Sequence, residues 1–260
     1  MIEIALDAIK KAEKELLNFR HNPIIISEEK RDIKTKADLA SNKVLYDILS
    51  KTNISLISEE IPSSFKNIPE VCWIIDPLDG TYNFSRRYPF YAISVSLWKK
   101  GTPFFGIVRD CANKKSYVSQ KGRKTNLNGK IISVSDVKSI DQATINTGFP
   151  SGFNLNKQKI QSFIKQLLVF KKVRSIGSAA IMLAQVAEGI CDVYFEKEIY
   201  LWDVAAGLSL VKEAGGSIFW IHRGGWKYDV IATNKHLFEE VKKNFLDLSL
   251  IHISEPTRPY

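Results

Sequence analysis

An apolar run that ends directly in carboxylates constrains this chain more than any other feature. Val71, Cys72, Trp73, Ile74 and Ile75 are followed without a break by Asp76-Pro77-Leu78-Asp79-Gly80-Thr81. A short run rich in β-branched and aromatic residues reads as a strand. This one delivers two acids, three positions apart, to its end, where Pro77 is expected to force a turn. Gly80 and Thr81 then open an expected helix, whose glycine allows close backbone approach and whose free amides attract anions. A second apolar run, 54–57, ends in the same way in Ser58-Glu59-Glu60. Carboxylates beside an anion-binding turn suit a hard cation and a phosphate, because magnesium takes a few carboxylate oxygens and leaves positions for water and substrate phosphate. The same letters also spell an ordinary turn, since Asp, Pro and Gly are common turn residues and Thr81 is a usable cap.

The periodicity elsewhere predicts a helix carrying Ala5, Ile9, Ala12, Leu16 and Phe19 on one face. Others follow at about 38–50, with Val44, Leu45, Ile48 and Leu49 inward, and at 157–170, with Ile160, Phe163, Ile164, Leu167 and Leu168 inward. Further helices are expected over 178–188, from an N-cap at Asp203 to Ala214, and over 235–245. Strands are expected at 91–98 and 103–109 around a turn at 99–102, then at 116–119, 131–134, 143–147, 191–195 and 230–233. Irregular alternation with hairpins points to mixed α and β layers rather than a regular βαβ array. Tyr82, Phe84, Tyr88, Phe90 and Tyr91 read as core or pocket wall, and Arg174 as a surface or structural charge. Residues 251–260, with two prolines and little apolar periodicity, are left out of the fold reading.

A chain of 260 residues with three distant cysteines offers neither a disulfide framework nor a zinc knuckle. Its size supports a core without a structural metal, so a metal here is expected to serve chemistry. No signal-like core is read at the start and no run is long enough to span a bilayer, so a cytoplasmic setting without a membrane partner is expected. The net charge of +9 is spread over short, separated basic clusters with no aromatic interleaving. The expectation is therefore no nucleic-acid partner, with the field drawing in small anions instead.

Two more segments complete the pattern. Thr35-Lys36-Ala37-Asp38 stands at a helix entry, and Trp202-Asp203-Val204-Ala205-Ala206-Gly207 sets an acid at a helix start among small residues; each alone also reads as a cap. With Asp76 to Phe84, Tyr88-Pro89-Phe90, the Glu59-Glu60 pair and the Gly-Ser-Ala-Ala run at 177–180, they make the chain resemble the inositol monophosphatase family of lithium-sensitive, magnesium-dependent sugar phosphatases, over residues 1 to about 247. The resemblance implies an α+β fold, a layered αβαβα sandwich of mixed sheets and helix pairs. It implies one domain over 1–247, with lobes at about 1–138 and 139–247 and a disordered or non-native tail over 248–260. It further implies a cytoplasmic homodimer inhibited by lithium, acting on a small phosphorylated metabolite with two or three magnesium ions.

By that resemblance, Glu59, Asp76 and the Leu78 carbonyl would hold one magnesium, and Asp76, Asp79 and Asp203 a second. Glu59 and Thr81 would place the attacking water, with Asp38 supporting proton removal through the Thr81 hydroxyl. Asp79, Gly80, Thr81, Gly177, Ser178, Ala179, Glu196 and Asp203 would contact substrate. Inositol monophosphate is the first candidate. Fructose 1,6-bisphosphate, histidinol phosphate and adenosine 3′,5′-bisphosphate are alternatives within the class. Outside it stand a silent phosphate-binding regulator and a basic nucleic-acid-binding domain.

Overall fold

A computed structural model gives the fold and describes residues 1–29, 32–61, 65–149 and 156–246; the tail expected over 248–260 lies outside them. Helix α1 (Ile2–Asn18) leads into a hairpin of β1 (Ile25–Glu29) and β2 (Asp32–Thr35), then α2 (Lys36–Leu49). Thr35 caps α2 through a capping box with Asp38, which begins the helix two residues earlier than its apolar pattern suggests. Strands β3 (Ser55–Ser58) and β4 (Val71–Asp79) come next, followed by the short helix α3 (Thr81–Ser85). Strands β5 (Ala92–Lys99), β6 (Thr102–Asp110), β7 (Lys115–Gln120), β8 (Arg123–Leu127) and β9 (Lys130–Ile131) complete a seven-stranded sheet in sequential order from β3 to β9. Only the β3–β4 pair in it is parallel.

A five-stranded sheet follows, built from β10 (Thr144–Thr147), β11 (Lys172–Arg174), β12 (Val193–Tyr200), β13 (Ser217–Gly224) and β14 (Lys227–Thr233) in the order β11-β10-β12-β14-β13. Its helices are α4 (Lys157–Leu167), α5 (Ala179–Ala187), α6 (Leu201–Glu213) and α7 (Phe238–Phe245).

Strand alternation explains the layering. Successive side chains point to opposite faces, so β4 sends Trp73 and Ile75 into the core under α1 and α2, with Ala8, Leu16 and Leu45. Cys72 and Ile74 go the other way, to the α5–α6 pair. That pair is apolar nearly all round: α5 buries eight of its nine residues, as expected of helices sandwiched between sheets. Its other face meets Tyr194, Val230 and Ala232, while Val193, Phe195 and Ile231 point outward to Phe163, Leu167, Val241 and Phe245 of α4 and α7. The result is helices, sheet, helices, sheet, helices. Two glycines allow the central layer to sit close. A Cβ on Gly106 would lie 2.4 Å from the Ala206 carbonyl oxygen, and one on Gly207 would lie 2.5 Å from Leu183.

Several expectations are corrected. Strand β4 does not stop at Asp76 but runs through Pro77 to Asp79, because a register shift between Asp76 and Asp79 lets the segment keep pairing with β5. Asp203 is not an N-cap: Tyr200 is, and Asp203 lies in the first turn of α6. Helix α4 ends at Leu167, leaving Ile164 and Leu168 exposed, since its inward face is narrower than its apolar stripe. Tyr82 and Tyr88 are exposed rather than core. Strands β1, β2, β8, β11 and β13 were not legible, being short, polar or amphipathic segments, all but β8 at a sheet edge.

Candidate functional site

Four separate elements carry acids to one place. Glu59 follows β3, Asp76 is in β4 next to it, Asp203 is in the first turn of α6, and Asp38 is in the first turn of α2. One carboxylate oxygen from each of Glu59, Asp76 and Asp203 lies within 4.8 Å of the others. Asp76 is almost wholly buried, Asp203 partly buried and Glu59 exposed. The Asp76 Oδ1 accepts the Leu78 amide at 2.9 Å, whereas its Oδ2 is buried and has no hydrogen-bond partner. An unpaired buried acceptor is costly, and like charges so close cannot all ionise cheaply.

Titration behaviour follows. Burial, then the charges of Glu59, Asp79 and Asp203, hold Asp76 protonated well above the usual carboxylate range. Burial, then Glu59, Asp79 and Glu196, do the same to Asp203, opposed by the Tyr200 amide. Glu196 in β12 is pushed up to about 8, first by burial and then by Asp79. A divalent cation would relieve this arrangement. The donors are all hard oxygens, and oxygens sharing one magnesium lie roughly 3–4 Å apart for bonds of about 2.1 Å. A spread of 4.8 Å is a small rotamer change from that.

Asp79 has a different setting. Its Oδ1 takes the Ala179 amide at 3.2 Å, and its Oδ2 takes the Ala180 amide at 2.8 Å and the Ser178 hydroxyl. It is thus held at the start of α5 beside the three-oxygen cluster, with its pKa raised to about 6 by burial against these bonds. Ser178 and Ala179, expected to meet substrate, are what hold Asp79. Gly177 is packed into the same junction. Asn83 Nδ2 donates to the Phe90 and Ile176 carbonyls at 2.8 and 2.7 Å. A Cβ on Gly80 would lie 2.7 Å from the Phe90 oxygen and 3.2 Å from that of Gly177, at a φ of +84° that favours glycine.

Thr81 and Asp38 are also together. The Thr81 hydroxyl lies 2.8 Å from Asp38 Oδ1 and 2.9 Å from the Leu78 carbonyl oxygen, two acceptors for one proton. Asp38 Oδ2 accepts the Thr35 amide at 2.8 Å and its hydroxyl at 2.5 Å. Burial raises Asp38 to about 6 in spite of these bonds. Sequence reading passed over two neighbours: the Lys34–Glu60 ion pair at the cluster's edge, and Tyr194 two residues before Glu196. The i, i+2 spacing of Tyr194 and Glu196 on a strand was the available signal for the last.

The sequence model of the inositol monophosphatase family matches residues 1–248. The chain belongs to that family. Among its members, Nus factor SuhB of Escherichia coli is 32% identical over 260 residues, covering 95% of this chain and 96% of that one. A fructose-1,6-bisphosphatase/inositol-1-monophosphatase of Aquifex aeolicus is 34% identical over 233 residues, covering 86% and 87%. The crystal structure of the extragenic suppressor protein SuhB of Bartonella henselae superposes with a TM-score of 0.82 at 26% identity, over 94% of this chain and 97% of that one. The expectation of no nucleic-acid partner finds no support in these relatives. Among the described residues no helix is long and apolar enough to cross a membrane.

Proposed function

We propose that this chain is a magnesium-dependent phosphomonoesterase acting on a small phosphorylated metabolite, with an inositol monophosphate as first candidate. The observation that carries the reading is the buried Asp76 Oδ2, left without a hydrogen-bond partner beside the carboxylates of Glu59 and Asp203. Family membership supports the phosphatase class. Glu59, Asp76, Asp79 and Asp203, with the Leu78 carbonyl, would hold two or three magnesium ions. Bound magnesium supplies neutralisation of phosphate charge and acidification of water, which a slow phosphate-ester cleavage needs.

The chain's own residues do the rest. Thr81, its proton directed at Asp38 or the Leu78 carbonyl, turns its lone pairs to an incoming water. Glu59 accepts a proton from that water, and the Asp38 carboxylate keeps the Thr81 hydroxyl oriented. The Gly80 and Thr81 amides would bind the phosphate, while Gly177, Ser178, Ala179 and Glu196 would shape the wall facing the alcohol. The two halves at about 1–138 and 139–247, the homodimer, lithium inhibition and a cytoplasmic setting are kept as parts of the same proposal.

A phosphate-release screen tests it, using inositol 1-phosphate, fructose 1,6-bisphosphate, histidinol phosphate and adenosine 3′,5′-bisphosphate, each with magnesium and with EDTA. Magnesium-dependent release, fastest from the inositol ester, is expected. Release from none of the four would sink the enzyme reading and leave the second one, a binding protein, which the Nus factor names of several relatives favour.

A further inference from the structure

We propose that one end of the seven-stranded sheet is a docking surface for the phosphate backbone of a nucleic-acid duplex. Basic clusters that lie apart in the chain, Lys99-Lys100 and Lys121-Gly122-Arg123-Lys124, adjoin in the fold. The β5–β6 turn pairs Lys99 with Thr102, and the β7–β8 turn pairs Gln120 with Arg123. Phe105 of β6 faces Gln120 of β7, and the Lys121 amide donates to the Phe104 carbonyl at 2.8 Å. The two tips therefore stand side by side, two strand spacings or roughly 10 Å apart. Lys212, in the last turn of α6, joins them, because Glu213 next to it accepts the Gly122 amide at 2.9 Å.

These cations are all exposed, and among the described residues none of them is in an ion pair. The acids that the same contacts place at this end are Glu213 and Glu70, whose carbonyl accepts the Lys100 amide at 2.7 Å. Glu3 and Asp7 lie at the flank where α1 meets α2, with Lys51 and Thr52. Lys100 and Gly101 take φ of +52° and +68° in succession, a tight hairpin turn that asparagine and glycine fill most easily. A lysine there is disfavoured by its backbone, and what it adds is a charge at the tip. The tips hold no apolar or aromatic residue. They offer no wedge for a membrane, no platform for unstacked bases and no apolar centre for a protein interface. A duplex backbone, with one charge per about 1.7 Å of axis, is the partner that charge alone can hold. Val71 pairs with Lys99 at this end of the sheet and Asp79 with Ala92 at the other. About 26 Å of strand thus separates the surface from the acidic site, and either can hold without the other.

The test is binding of a short DNA duplex in EDTA, followed by fluorescence anisotropy as salt is raised. EDTA keeps metal from fixing phosphates at the acids. Four or more engaged phosphates should weaken binding about a hundredfold or more between roughly 50 and 200 mM salt. The triple variant Lys100→Glu, Lys121→Glu, Lys124→Glu should bind at least about tenfold more weakly, with a shallower salt dependence. The triple variant Lys157→Glu, Lys159→Glu, Lys165→Glu makes an equal change of charge at exposed positions of α4. It should stay within about threefold of wild type, since salt screens distant charges. Should the acidic tip variant melt lower than wild type, glutamine at the same three positions must show the loss at the wild-type melting temperature. No binding at the lowest salt, binding indifferent to salt, tighter binding of a single strand, or an equal loss in the α4 variant would each overturn the proposal.

Discussion

Asp192 and Asp76 are buried alike, at 6% and 1% exposed, and differ in what meets their oxygens. Asp192 Oδ1 accepts the Ser135 hydroxyl at 2.5 Å and its Oδ2 the Thr144 amide at 2.7 Å, while Asn234 Nδ2 holds Ser135 from behind at 3.0 Å. Asp76 has one amide on one oxygen, nothing on the other, and two more carboxylates within 4.8 Å. An acid whose oxygens both have donors ties strands and loops together. An acid left short among like charges has the setting that a cation would relieve. Burial alone does not tell them apart; the census of donors does.

The sharpest way to break the contrast is to neutralise both. Asp76→Asn should lower magnesium-dependent kcat/KM about a thousandfold or more, since it removes a central carboxylate of the site. Its metal-free form should melt no lower than wild type, because an amide, unlike a carboxylate, never has to bear a buried charge beside Glu59 and Asp203. Phosphate release within tenfold of wild type would end the assignment. Thr81→Val should cost about a hundredfold in kcat, within the range for losing a proton-handling group, with little change in magnesium affinity by calorimetry.

Asp192→Asn should behave in the opposite sense. It should lose about 1–3 kcal/mol of stability in urea unfolding, the cost of a broken buried hydrogen-bond pair, at unchanged kcat. A fall in kcat without a fall in stability would erase the distinction. The smallest expected effect concerns pH. Asp38 and Asp79 titrate near 6 and Glu196 near 8, all above their unfolded values, so the folded protein binds more protons than the unfolded chain across that window. Stability then falls as pH rises from about 4 to 8. Metal-free protein should melt a few degrees higher at pH 5.5 than at pH 8.5, and magnesium should raise the melting temperature more at pH 8.5. Equal magnesium effects at both values would show that the acids do not meet the ion.

Much of the site was legible because it is local. Asp76, Pro77, Asp79 and Gly80 lie within five positions, and an apolar run directly before them can only be a buried strand delivering acids to its end. Asp38 was legible from its capping pattern with Thr35, which is also what orients it toward Thr81. By contrast, the carboxylate of Asp203 reaches Asp76 only because α6 packs under the sheet against Gly106, a contact between positions a hundred residues apart. Strand β13 escaped notice because none of its residues is fully buried, so pairing with β14 defines it rather than apolar pattern.

By itself the sequence determined which residue types would line the site and which short segments would be helix or strand, since propensity, caps and alternation act over a few positions. Tertiary structure alone decided which oxygens stay unpaired. Asp79 is taken up by the start of α5 while Asp76 is left open, although both sit at the end of the same strand, three residues apart. Satisfaction of a buried carboxylate depends on donors from distant parts of the chain, and those are placed by the packing of layers rather than by neighbours in sequence.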